Sequence, residues 1–368
     1  MAKNLIIGYQ SALLVYRAAA AGILEVPDPL HGTIRPAECS TRISDFSGST
    51  NLEKLMSAGP LDLLAFRSGQ RHDTRSCRMH LTKSPMVDGA FWSLGSNILV
   101  ASPDLTYLQV CQEICDSTHG RVAWAQPLID VLGDLGKLIA CAEVCAELCG
   151  YYCIYPDNES SLKPHIPYTS REHMLVTLRQ LKGRHPLQTA LRACKAAPSL
   201  SASPRETDVF LLMTLPRPDG YGIGRPTSNE PITVMGTKPT TLDDMEETRF
   251  SDFLWKQKTL RNGRRRKTTT LEYDSDEHHT ASAGLTDRQL WEQGERRDRI
   301  ESSGRNFLRL TTEHTKEFRL FDKKMYQLAE MLRIDLPERG TDELAAVTAV
   351  FEAIFDTHRW RNVNIIHA

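Results

Sequence analysis

No apolar run in the 368-residue chain approaches the 18 or more residues of a membrane span, so no membrane-spanning helix is expected. No secretory signal is expected either. The start, Met1-Ala-Lys-Asn-Leu-Ile-Ile-Gly8, has a short apolar stretch but no h-region leading to a cleavage site. Charge of one sign is missing: 45 Lys and Arg stand against 46 Asp and Glu, a net charge of −1. Any affinity for nucleic acid must therefore come from local patches rather than overall charge. The nine cysteines are an odd number in a chain without a sign of an oxidising compartment, so the expectation is a cytoplasmic protein with reduced thiols. What is present is ordinary for a globular protein, with 40% hydrophobic and 25% charged residues, in a length sufficient for two or three domains.

Residues 1–105 read as a small β-rich module. A short helix is predicted over Ser11 to Ala21, loop and short strands over residues 30–60, and strands at 60–66, 91–94 and 97–103. The stretch from Arg67 to Lys83 is basic and polar; a solvated loop is the commoner reading of such a stretch, with contact to nucleic acid as the alternative. Residues 106–200 read as a helical segment. Ser102-Pro103-Asp104 is a helix start, with Ser102 as cap and Pro103 in the first turn. Cys141, Cys145 and Cys149 recur every four residues and so share one helical face. Three ligands in consecutive turns cannot close a tetrahedral site by themselves, so core packing is expected for them rather than metal.

The chemistry concentrates in residues 201–335. Ser203-Pro204-Arg205-Glu206 starts a helix with Glu206 in its first turn, where a carboxylate stabilises the positive helix end. Arg249 to Trp255 reads as a strand carrying one acid, Asp252. A basic segment follows, with Lys256, Lys258, Arg261, Arg264, Arg265, Arg266 and Lys267 around the turn signal Asn262-Gly263. It leads into Thr268-Thr-Thr-Leu271, a β-branched strand, and then Glu272-Tyr-Asp-Ser-Asp-Glu-His-His279. Glu272 and Asp274 point to one face of that strand, about 7 Å apart, and a hairpin would set Asp252 beside Glu272. Crowded carboxylates repel unless a cation sits between them. Acids that hold a divalent cation, flanked by bases that hold phosphate, make the arrangement that phosphodiester hydrolysis requires. A charged helix at 286–303, a strand at 306–311, an amphipathic helix at 318–332 and a helical tail over 336–368 complete the pattern.

These residues resemble the Vsr-like, endonuclease-related branch of the PD-(D/E)XK nuclease superfamily. The resemblance rests on Glu206, Asp252, Glu272-Tyr273-Asp274-Ser275, His278/His279, Arg296-Arg297, Gly304 and Arg309-Leu310-Thr311 in that order, and covers about residues 201–335. It implies an α/β fold: a restriction-endonuclease-like mixed sheet flanked by helices. It implies that Asp252, Glu272 and Asp274 hold Mg²⁺ or Mn²⁺, that Glu206 orients a ligand or water, and that His278 or His279 serves as base. The basic hairpin, Arg296 and Arg297 would contact the nucleic acid, with DNA the expected partner. The superfamily's usual Lys is replaced by Asp274, as in the Vsr-like branch, and Gln293 stands where an acid is usual. Ala101-Ser-Pro-Asp104, Glu147-Leu-Cys-Gly-Tyr151 and Ser203-Pro-Arg-Glu-Thr207 are more distantly similar to AbiEi-type antitoxin and regulator proteins, which implies a setting of phage defence or a toxin partner. Two functions are therefore expected as rivals: a metal-dependent endonuclease, and a non-catalytic DNA-binding regulator or antitoxin that keeps the nuclease-like fold.

Overall fold

The computed structural model describes residues 3–32, 34, 38–46, 48–70, 73–82, 88–116, 122–154, 165–181, 186–232, 249–259, 265–274 and 304–356. The chain divides into two compact units, one running to Ala197 and the other Pro198–Asp356. The fold is mixed α/β in both.

In the first unit the strands are β1 (Asn4–Ile7), β2 (Asp28–Pro29), β3 (Cys39–Ser40), β4 (Leu61–Ala65), β5 (Cys77–Leu81), β6 (Phe91–Ser93) and β7 (Ile98–Ala101). They form one sheet in the order β2-β6-β7-β1-β4-β5, with β3 also on β1. β1 lies at the centre, parallel to β7 on one side. Its other side is shared, the first half pairing with β3 in parallel and Ile7 pairing with Leu63 of β4 antiparallel. Leu5, Ile6 and Ile7 are all buried, as expected of a short apolar run covered on both faces. Gly8 then turns the chain into α1 (Tyr9–Ala20), and a Cβ there would lie 2.7 Å from Leu64 Cδ2. Helices α2 (Thr50–Ser57), α3 (Pro103–Cys115), α4 (Gln126–Leu132), α5 (Asp134–Leu148), α6 (Arg171–Gln180) and α7 (Leu187–Ala196) follow. Ser49, Ser102 and Ser170 cap α2, α3 and α6, each accepting a backbone N–H of the first turn. Gly133, at φ 57, ends α4 and starts α5. Cys111, Cys141, Cys145 and Cys194, from α3, α5 and α7, are fully buried, and Cys145 Sγ lies 3.6 Å from Met174 Sδ of α6. Arg17 of α1 and Glu147 of α5 form a buried bidentate pair, Nε to Oε1 at 2.7 Å and Nη2 to Oε2 at 2.8 Å.

The second unit runs α8 (Pro204–Thr214), β8 (Thr227–Ile232), β9 (Arg249–Trp255), β10 (Lys258–Thr259), β11 (Arg265–Arg266), β12 (Thr269–Asp274), β13 (Asn306–Thr311), α9 (Thr312–Lys316), α10 (Phe318–Leu332) and α11 (Thr341–Phe355). Four strands make a mixed sheet in the order β13-β12-β9-β8. β9 is antiparallel to both β8 and β12, and β12 is parallel to β13. β10 and β11 pair as a separate two-stranded ribbon. Phe321 of α10 packs against Phe351 and Phe355 of α11, with ring centroids 5.5 Å apart in each case.

Three details differ from the sequence reading. Residues 50–57 are helical, inside a stretch read as loop and short strands. The basic stretch 67–83 contains a strand, β5, whose Cys77 and Met79 are buried while its alternate residues are polar. The division near residue 105 does not separate compact units, because the sheet and the helices from α3 to α7 belong to one.

Candidate active site

The strand register of the second unit arranges the acids. β9 and β12 pair Trp255 with Thr269, Leu254 with Thr270 and Phe253 with Leu271. The pairing ends there; carried one step further, the same register sets Asp252 across from Glu272. On the far side of β12, Glu272 is the register partner of Arg309. On the far side of β9, Ser228 pairs with Phe253 and Glu230 with Ser251, which places Asn229 opposite Asp252. Asn229, Asp252, Glu272 and Arg309 therefore occupy one row across four strands. Neighbours in such a row share a sheet face, and Asp274, two residues past Glu272, shares it as well.

Each polar group in the row has a definite environment. Asp252 Oδ2 accepts the Tyr273 backbone N–H at 2.7 Å, so its side chain takes over where the β9–β12 ladder stops. Glu272 is only 4% exposed. Asp274 is paired with Arg309, which is about half exposed. Glu206, expected to orient a ligand or water, sits in the N-terminal cap of α8. Its N–H donates to Ser203 Oγ at 3.1 Å, and its carboxylate accepts from Ser203 Oγ, Ala202 N and Asn229 Nδ2 at 3.0, 2.9 and 3.1 Å. Burial raises the Glu206 pKa, and these hydrogen bonds oppose the rise. Asn229, at φ 48, also donates to the Leu200 carbonyl, so it ties the row to the start of α8.

Asp252, Glu272 and Asp274 share a face, but their carboxylates do not converge as a three-ligand set. Among the described residues, the group whose ligand atoms all lie within 4.8 Å of one another is Asp62, His80 and Glu113, in the first unit. His278, His279, Arg261, Arg264, Arg296 and Arg297 lie outside the described residues. Of the remaining basic candidates, Lys256, Lys258, Arg265 and Lys267 are exposed, and Arg266 is half-buried with Nη2 donating to the Lys256 carbonyl at 3.0 Å. On the β10–β11 ribbon, Lys258 stands directly opposite Arg266. Like charges in that relation cost stability unless an anion lies near them.

The sequence reading did not find Asn229 or the Asp62–His80–Glu113 cluster. For the cluster a signal existed: Asp62 is an acid inside the apolar run Leu61-Asp-Leu-Leu-Ala65. Such a residue is buried at a cost unless it has work to do. No protein-family model, curated protein or solved structure matches the chain.

Proposed function

We propose that the second unit is a divalent-metal-dependent phosphodiesterase acting on nucleic acid, with DNA the expected substrate. The observation that carries this reading is the cross-strand opposition of Asp252 and Glu272 beside Arg309 and Asp274, on strands joined through a basic ribbon. β9, β12 and β13 follow α8 in the order that the resemblance to the PD-(D/E)XK superfamily implies for Asp252, Glu272 and Arg309 after Glu206; β8 is not part of that expected order, and the charged helix expected at 286–303 lies outside the described residues. The donor set fits Mg²⁺ or Mn²⁺, because two opposed carboxylates are hard oxygen ligands that repel each other without a cation. Asp252 and Glu272 would hold the ion, and Asp274 would join them on leaving Arg309. When bound, the cation stabilises charge on the phosphate and lowers the pKa of its water. Arg309, released from Asp274, is a guanidinium on the same face and suits a non-bridging phosphate oxygen. Glu206, through Asn229, fixes the strand position opposite Asp252. His278 or His279 takes the role of base that the resemblance implies. Lys256, Lys258, Arg265 and Lys267 hold the backbone of the nucleic acid without reading its sequence.

The Asp274–Arg309 pair and the use of Glu206 as a helix cap favour a second reading, in which the unit binds DNA without cutting it, as a regulator or antitoxin would. A plasmid-nicking assay with Mg²⁺, Mn²⁺ or EDTA, set beside a binding assay in EDTA, separates the two. Metal-dependent nicking that Glu272→Gln abolishes supports the phosphodiesterase. Equal DNA binding by parent and variant in EDTA, with no nicking by either, supports the regulator.

A further inference from the structure

We propose that Asp62, His80 and Glu113 form a binding site for a transition-metal dication in the first unit, independent of the acids of the second. One ligand atom from each lies within 4.8 Å of the other two. Metal–ligand bonds of about 2.1 Å put tetrahedral donors about 3.4 Å apart, so shifts of roughly an ångström close the set on an ion. Asp62 is fully buried, and Glu113 is 7% exposed. The three come from different elements, β4, β5 and α3, so the site exists only in the folded unit.

The groups around the cluster orient it as outer partners orient metal ligands. Asp62 Oδ2 accepts the Ser11 N–H and the Ser11 hydroxyl, at 3.3 and 3.1 Å. Its Oδ1 faces His80 Nε2 at 2.9 Å, with Arg78 Nε at 3.5 Å. The Tyr9 ring stacks on the imidazole, centroids 3.8 Å apart and planes 20° from parallel, which fixes the ring plane of His80. Tyr9 is itself clamped to α3, its N–H donating to Gln109 Oε1 at 2.9 Å and its hydroxyl to Gln112 Oε1 at 3.3 Å. Gln109, Gln112 and Glu113 lie on one face of α3 by their spacing. One aromatic residue thus sets the imidazole against the helix that brings Glu113.

The donors indicate which ion fits. Two carboxylates with an imidazole suit Zn²⁺, Mn²⁺ or Co²⁺, whereas Mg²⁺ and Ca²⁺ prefer oxygen alone. Three protein ligands leave a position open, the mark of a site that exchanges water or a small ligand rather than a closed structural one. A cavity of about 70 Å³ lies beside Asp62, lined also by Gln10, Ser11, Arg17, Arg78 and Trp124 but not by His80 or Glu113. Gln10 Nε2 in its wall is a buried donor with no hydrogen-bond partner among the described residues.

Cobalt titration of the full chain, stripped with chelator and followed by visible absorption, tests the proposal. Parent and Glu272→Gln should take up Co²⁺ alike at a site with imidazole in its spectrum. His80→Gln and Glu113→Gln should lose that uptake, and Ser11→Ala should weaken it about 10- to 100-fold, the usual effect of losing an outer partner. Co²⁺ should raise the melting transition of the first unit in the parent but not in Glu113→Gln. Circular dichroism checks that each variant folds, and if His80→Gln does not, Glu113→Gln decides. Unchanged uptake by folded Glu113→Gln, no uptake by the parent, or loss of uptake in Glu272→Gln instead would each overturn the proposal. The cluster would then be a hydrogen-bonded network around Asp62 with Arg78 beside it.

Discussion

Glu272 stands where three relations cross: the register to Arg309, the opposition to Asp252 and the shared face with Asp274. Glu272→Gln keeps its shape and removes one negative charge from that crowding. It is expected to abolish metal-dependent cleavage while leaving metal-free thermal stability unchanged or higher, since it relieves repulsion. Nicking assays and melting curves in EDTA check both halves, and parent-like cleavage by the variant would sink the cleavage reading. Glu206 makes a different prediction. Its carboxyl is raised by burial, so the folded state favours the protonated form. Its contribution is fully present below the ordinary carboxylate pKa and is lost as pH rises through the raised one. Glu206→Gln lacks this titration. Across urea unfolding at a series of pH values, the variant should therefore gain on the parent as pH rises through that window, and a constant difference would contradict the assignment.

The ribbon β10–β11 and the helices around the cysteines are predictions at the scale of elements. Lys258, Arg265 and Lys267 are exposed on or next to the ribbon. Neutralising all three should weaken nucleic-acid binding and flatten the plot of log affinity against log salt by up to about 2.7 units, at about 0.9 per phosphate contact. An unchanged slope would make the ribbon a solvated loop. Between α3, α5 and α7, burial pushes the thiols of Cys141 and Cys145 well up, so the reactive thiolate is scarce. A thiol reagent should label them slowly in the folded protein and rapidly in denaturant. Much of this level was legible in the sequence. Ser203-Pro204 and Ser102-Pro103 announce helices through cap and ring chemistry, and the Thr run announces β12. Other elements hid for local reasons. α2 buries little beyond Leu52 and Leu55 under a Ser/Thr-rich surface, and the basic residues around β5 masked its alternation. Asn229 and the Asp274–Arg309 pair were not legible at all, because they depend on which residue faces which across strands far apart in the chain.

Two units with separate sheets and cores set the behaviour of the whole molecule. Calorimetry is expected to show more than a single two-state transition, with Mg²⁺ or Mn²⁺ raising the one that belongs to the second unit. A single transition unmoved by either ion would count against both the division and the metal reading. The compact units divide at Ala197 and Pro198, and the β-rich stretch and the helical stretch on either side of residue 105 belong to one of them, a grouping that reading along the chain does not reveal. A further consequence lies in β8, the end strand of its sheet among those described. Pro231 within it has no amide hydrogen to offer, and the left-handed backbone at Asn229 breaks the regular spacing of its neighbours. The same row that gathers the acids thus finishes, among the described strands, at an end strand made irregular by Asn229 and Pro231.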